Sequence, residues 1–162
     1  MDPLRFIPIT RNLDGRHEFL WKLLEEREDY VNISHERMPT MVEHIRYIDE
    51  DNPYRVRYVL ALGTKWIGVM YLTVRNEVGI QICRAHRGEG WGLEALRWLI
   101  SCHDPLPGKA GIVPNRFVAN INPENVASIA LFKRLGAELI QHTYQLPERG
   151  AANGQIEEPP TA

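Results

Sequence analysis

The segment Arg87-Gly88-Glu89-Gly90-Trp91-Gly92 carries three glycines in six residues. Glycine permits tight curvature and lets a ligand approach the backbone closely. The turn follows an apolar strand-like run at 78–83 and precedes an apolar helical run that starts at Leu93. Amides exposed at a helix start favour an anion, and the helix dipole adds to that preference. A pyrophosphate suits such a turn, and Arg87 can add a charge-assisted contact. A glycine turn that only packs tightly is the competing reading. There is no Gly-Lys-Ser/Thr ending, so the turn is not a nucleotide P-loop. The strand before it belongs to a hairpin meander, which argues against a dinucleotide-binding βαβ unit.

The elements that must position this turn emerge from periodicity. Residues 4–10 read as a first strand, with Pro8 at an edge or a bulge. Asn12 or Asp14 can cap a helix on which Phe19, Leu20, Leu23 and Leu24 recur at helical spacing. A second helix begins after Ser34 and divides before Met41, because Pro39 cannot sit in a helix interior. Its apolar side carries Met41, His44, Ile45 and Ile48. Runs at 56–62, 66–74 and 78–83 are joined by short connections and form an antiparallel meander. A helix over 93–103 comes after the glycine turn. A Pro/Gly-rich loop covers 103–115, then a strand 117–121, a helix 123–135 stopped by Gly136, and a last strand 139–146. Residues 147–162 lack periodicity and read as a disordered tail behind a domain over 1–146. This order predicts a mixed α/β (α+β) domain around one central sheet.

Composition bounds the function. The chain has 162 residues, 44% of them hydrophobic and 25% charged, which fits one soluble domain. A net charge of -2 argues against a dedicated nucleic-acid binder. Two cysteines, Cys83 and Cys102, exclude a disulfide scaffold and a four-cysteine zinc site. His17, His103 and His142 show no metal spacing with one another or with Cys102. No apolar run reaches the roughly 18 residues that a membrane span requires. The first residues lack the apolar core and cleavage site of a secretory signal, so a cytoplasmic location is expected.

The strand, glycine turn and helix resemble the acetyl-CoA-binding motif of the GNAT superfamily of N-acetyltransferases. That motif reads Gln/Arg-x-x-Gly-x-Gly/Ala, and Arg87, Gly90 and Gly92 fill it. A second family motif, Asn-x-x-Ser/Ala-x-x-Leu-Tyr-x-Lys-x-Gly-Phe, is similar to the run from Asn125 to Ala137. The resemblance covers roughly 4–146. The stretch 34–48, with Glu43 and His44, looks most like the branch acting on amino-sugar nucleotides or protein N-termini.

The resemblance implies a mostly antiparallel sheet flanked by helices, with a V-shaped opening between the fourth and fifth strands. Acetyl-CoA is the implied co-substrate, with no metal. Backbone groups near Ile80 and Ile82 would hold its pantetheine and thioester. The amides of Arg87, Gly88, Glu89, Gly90, Trp91 and Gly92 would hold its pyrophosphate, and Asn125, Ser128 and Phe132 would line the same site. An amine then attacks the thioester directly, helped by a base and by a donor to the leaving thiolate. Phe132 stands where the family often has a tyrosine that protonates the thiolate. Ser128, one turn earlier, and Tyr144, on the last strand, are the alternative donors. Glu77 and His44 are the base candidates, and a histidine's ordinary pKa of about 6.5 suits the task. Each has a structural alternative: a solvated hairpin carboxylate and a buried helix histidine. Cys83 and the tryptophans Trp66 and Trp98 read as core.

The expected function is acetyl-CoA-dependent N-acetylation of a primary amine, with a nucleotide-linked amino sugar first among acceptors. A protein N-terminus or a small amine comes next. A catalytically weak acyl-CoA sensor is the reading from another class, motivated by Phe132. Acyl transfer to a modified nucleic-acid base is a third, disfavoured by the charge. The resemblance leaves a homodimer through the final strands open.

Overall fold

The computed structural model describes residues 2–28, 37–49, 53–144 and 146. Its sheet has four strands: β1 (Leu4–Pro8), β2 (Tyr54–Leu62), β3 (Lys65–Thr73) and β4 (Val78–Ile82). They lie in the order β1-β2-β3-β4, every neighbouring pair antiparallel. Pro8 thus sits on an edge strand, where its missing N–H leaves no gap in an interior ladder.

Helices α1 (Arg16–Glu25) and α2 (Met41–Asp49) cover one face, and α3 (Trp91–Cys102) and α4 (Val126–Leu135) the other. Leu20 and Leu23 of α1, Ile48 of α2 and Val69 of β3 form one core cluster. Leu60, Ile67, Met70 and Leu72 meet Ala95, Leu96 and Leu99 of α3 in the larger one. Removing each large apolar side chain of these clusters from water stabilises the fold by roughly 1.5–3 kcal/mol. Phe6 and Trp98 stack at 3.7 Å with planes 5° apart, which registers α3 against β1.

Thr40 and Glu43 start α2 by reciprocal bonds: the Glu43 carboxylate accepts from the Thr40 amide at 2.7 Å, and Thr40 Oγ1 accepts from the Glu43 amide at 3.3 Å. The start of α1 differs from the sequence expectation. Gly15, in the left-handed region at φ 75°, occupies the cap position with no side-chain bond, so neither Asn12 nor Asp14 caps it. Ser34 lies outside the described residues, as does the tail at 147–162.

Two expected strands are not formed as strands. The segment 117–121 makes one parallel bridge, Glu77 with Val118, and then leaves β4. Residues 139–144 and Leu146 carry no strand pairing among the described residues, although Leu139, Ile140, Tyr144 and Leu146 give the segment an apolar content suited to a strand. Leu139, Ile140 and Tyr144 are exposed there. Apolar content can suit a segment to a sheet, but a strand exists only where a neighbour takes up its backbone groups.

Asn76 organises the chain beyond the β3–β4 turn. It is fully buried, with φ 61°. Its Nδ2 donates to the carbonyls of Leu106 at 3.0 Å and Pro114 at 2.7 Å, and its Oδ1 accepts from the Leu106 amide at 2.7 Å. Its own carbonyl accepts from the Val118 amide at 3.0 Å. One asparagine therefore ties the loop 103–115 and the segment 117–121 to the hairpin.

Candidate active site

The open edge of β4 defines the site. The Thr73 amide donates to the Glu77 carbonyl at 2.9 Å and the Cys83 amide to the Ile67 carbonyl at 2.8 Å. Antiparallel ladders alternate, so residues 77, 79, 81 and 83 turn their backbone groups toward β3. Val78, Ile80 and Ile82 turn theirs to the other side. Val78 uses its amide there, donating to the Val118 carbonyl at 2.8 Å. The bridge ends at that point, and Ile80 and Ile82 face the opening between β4 and residues 117–121. The Ile82 carbonyl accepts from Arg87 Nε at 3.1 Å.

The glycine turn adjoins this edge. Gly88 (φ 81°) and Gly90 (φ 94°) are left-handed, a region other residues enter only with strain. A Cβ at either position would meet nothing within 4 Å, so the space over the turn is open. Gly92 has another reason: a Cβ there would lie 3.2 Å from Leu131 Cδ2, where α3 and α4 touch. Gly90 caps α3 with no side-chain bond, which leaves the first amides of the helix facing outward. Glu89 folds back beside the turn. Its Oε2 accepts from Trp91 Nε1 at 2.7 Å and from His86 Nδ1 at 3.2 Å. The Trp91 bond, then the His86 bond, hold its carboxyl below the ordinary value. Arg87 points away from the turn, its Nη2 donating to the Glu26 carbonyl at 3.3 Å.

The GNAT acetyltransferase domain pattern matches residues 6–138. The chain belongs to the GNAT acetyltransferase family. No curated protein matches it in sequence. Among solved structures it is similar to an acetyltransferase from Thermus thermophilus, with a TM-score of 0.60 and 21% identity, over 84% of this chain and 88% of that one. It is also similar to RimL, a ribosomal L7/L12 α-N-protein acetyltransferase in complex with coenzyme A, at TM-score 0.61 and 15% identity, covering 82% and 78%. A third is AAC(6')-Iy with a bisubstrate analogue of CoA, at TM-score 0.58 and 16% identity, covering 91% and 99%. At these identities the likeness is one of fold.

Within the GNAT domain, the other expected site residues fall in four places. Glu77 stands at the mouth of the opening, its Oε1 accepting from Asn120 Nδ2 at 3.2 Å. Ser128 and Asn125 sit together at the start of α4, where Asn125 Oδ1 accepts from the Ser128 amide at 3.1 Å as a helix cap. Phe132 packs against the larger core one turn later. His44 lies between α1 and α2, buried, its Nε2 against the His17 carbonyl at 3.1 Å and its ring edge-on to Trp21. Burial pushes its pKa below the ordinary histidine value. Tyr144 is 81% exposed in the unpaired final segment.

Tyr71 escaped the sequence reading. Tyr71 stands opposite Gly79, and a Cβ on Gly79 would overlap the Tyr71 ring and hydroxyl. Only glycine on β4 admits this ring, which carries a hydroxyl across the strand. Burial pushes the hydroxyl's pKa up, Arg27 opposes that shift, and the Glu77 charge adds to it. Gly79 was the available signal: a glycine inside an apolar strand marks a close approach.

Proposed function

We propose that this GNAT domain transfers an acetyl group from acetyl-CoA to a primary amine, with a nucleotide-linked amino sugar as the first acceptor class to test. The observation that supports it best is the parting of β4 from 117–121 directly beside the open glycine turn. An extended amide arm fits the backbone groups of Ile80 and the amide of Ile82, and a pyrophosphate fits the amides of residues 88–92. Acetyl-CoA supplies the acetyl group as an activated thioester.

The chain's residues would do the rest. The Ile82 amide would donate to the oxygen on which negative charge develops. Glu77 would take a proton from the acceptor's ammonium group, leaving an amine able to attack. Ser128 would donate to the departing sulfur in place of the hydroxyl that Phe132 lacks. Tyr71 offers a second hydroxyl on the opposite face of β4.

The test is thermal unfolding with and without acetyl-CoA, in the wild type and in Gly90→Glu, whose side chain fills the space over the turn. Acetyl-CoA at 100 times its Kd adds about 2.7 kcal/mol, or roughly 5–10 °C for a chain of this size. A shift present in the wild type and lost in the folded variant supports the site. CoA release with an amine panel comes next. Release at background with every amine overturns the transferase reading and leaves an acyl-CoA sensor.

A further inference from the structure

A second polar cavity opens away from the β4 edge. It measures about 230 Å³ and lies where the end of β1, the start of α1, the end of α2 and β2 meet. Arg11, Arg16 and Arg57 line it, with Asp49 as the one carboxylate among the described residues. Three guanidinium groups less one carboxylate leave a net charge of +2 among the described lining residues.

The existing bonds do not discharge that excess. Asp49 Oδ1 is shared between Arg16 Nη2 at 3.1 Å and His17 Nε2 at 3.0 Å. Arg16 Nη1 donates to the Leu13 carbonyl at 3.2 Å, and Arg11 Nη2 to the Asp49 carbonyl at 3.3 Å. Arg57 Nη2 donates to the Ile48 carbonyl at 3.1 Å, and its guanidinium lies 5.3 Å over the Tyr54 ring. Arg57 Nη1 is buried and has no hydrogen-bond partner among the described residues. A buried donor left unmade is destabilising, and a charged one more so. An arginine held by a backbone carbonyl and an aromatic face, with one nitrogen free in a cationic cavity, is set for an oxyanion.

We propose that this cavity is a binding site for one oxyanion, a phosphate or carboxylate group, held by Arg57 with Arg11 and Arg16. Its size fits an ion better than a whole organic ligand, for which cavities of roughly 300 Å³ and above are usual. The cavity is separate from the glycine turn. Arg57 stands opposite Tyr71 and Tyr71 opposite Gly79, so two strand spacings, about 10 Å, divide Arg57 from β4. The oxyanion therefore comes either with the acceptor, as an anionic group some way from its amine, or as a free ion.

Inorganic phosphate is the probe, titrated into the full-length chain at constant ionic strength with chloride as the balancing anion. Thermal unfolding should show a saturable rise in Tm. Arg57→Gln should abolish it, and Gly90→Glu should retain it, which separates this cavity from a phosphate on the glycine turn. Arg57 also holds the Ile48 carbonyl, so Arg11→Gln, at an exposed position, provides the variant that keeps the fold. It should raise the phosphate midpoint about tenfold. No saturable response in the wild type, or an unchanged midpoint in Arg11→Gln, overturns the proposal. So does a response lost in Gly90→Glu and kept in Arg57→Gln. With an amine substrate in hand, phosphate competing with the amine assigns the oxyanion to the acceptor, and inhibition without competition assigns it to a free ion. The binding arm stands even if acetyl transfer is absent.

Discussion

Asn120 donates from Nδ2 to Glu77 Oε1 at 3.2 Å, across the point where the chain segment 117–121 separates from β4. The Glu77 carboxylate at the mouth of the opening is thus held by its far wall. A carboxylate with one oxygen anchored keeps the other free and fixed in direction. Glu77→Gln removes the proton acceptor and preserves the shape. We expect kcat to fall by roughly 10²-fold or more with little change in Tm. Asn120→Ala should fall between that variant and the wild type. Wild-type turnover in Glu77→Gln at saturating substrates would remove Glu77 from the mechanism.

Asn76 replaces several backbone partners at once, so its loss should be felt in stability before activity. Asn76→Ala leaves the Leu106 amide and the Leu106 and Pro114 carbonyls without their partner. We expect a loss of about 2–4 kcal/mol in urea unfolding. Asn76→Gly isolates the backbone part: it relieves the positive φ and still loses the side-chain bonds. If it matched the wild type, the bonds would be idle.

The overlap between Gly79 and Tyr71 can be measured as a coupling. Gly79→Ala should destabilise by about 1–3 kcal/mol, because the ring must move. Adding Tyr71→Ala should cost less in the Gly79→Ala background than in the wild type. Strict additivity would mean that the ring does not occupy that space in solution. Tyr71→Phe keeps the ring and tests the hydroxyl alone, through kcat.

His44 predicts the first acid transition. Burial lowers its pKa in the fold, and burial followed by the Arg55 charge does the same to His103. Below about pH 6.5 the unfolded chain binds protons that the folded chain refuses, so stability falls as pH drops from there. Carboxylates act later, at lower pH, through a shift in the same direction. The Glu43 carboxyl is lowered from 4.5 to about 2, first by its Arg37 bond and then by Thr40, so its contribution fades as pH falls through that interval. The urea midpoint measured from pH 8 to 5 should decline below 6.5, and His44→Gln should flatten part of the decline. An unchanged profile in that variant would assign the decline elsewhere.

The meander, the glycine turn and the two long helices after it were legible because each depends on neighbours in sequence. Pro8, Gly88, Gly90 and Gly136 stand where local conformation demands them. Residues 139–144 and Leu146 misled because apolar content reports suitability for pairing and says nothing of whether a partner exists. Asn76 was invisible for a different reason: its bonds reach 30 and 38 residues along the chain. The same holds for the cavity built from Arg11, Arg16 and Arg57, and for Tyr71, whose role shows only once Gly79 is seen beneath it. Gly92, read from sequence as part of the ligand turn, also stands where α3 and α4 touch, a contact that local sequence does not reveal.

The anchoring of both the 103–115 loop and the 117–121 segment on one buried asparagine bears on how a ligand enters. The walls of the opening diverge from a common pin, so neither has to be ordered when a ligand arrives. Preorganisation of this kind removes the entropic penalty of folding a groove around its guest. Entry should then be a single encounter step, its observed rate rising in proportion to ligand concentration without the plateau that a closing loop would impose.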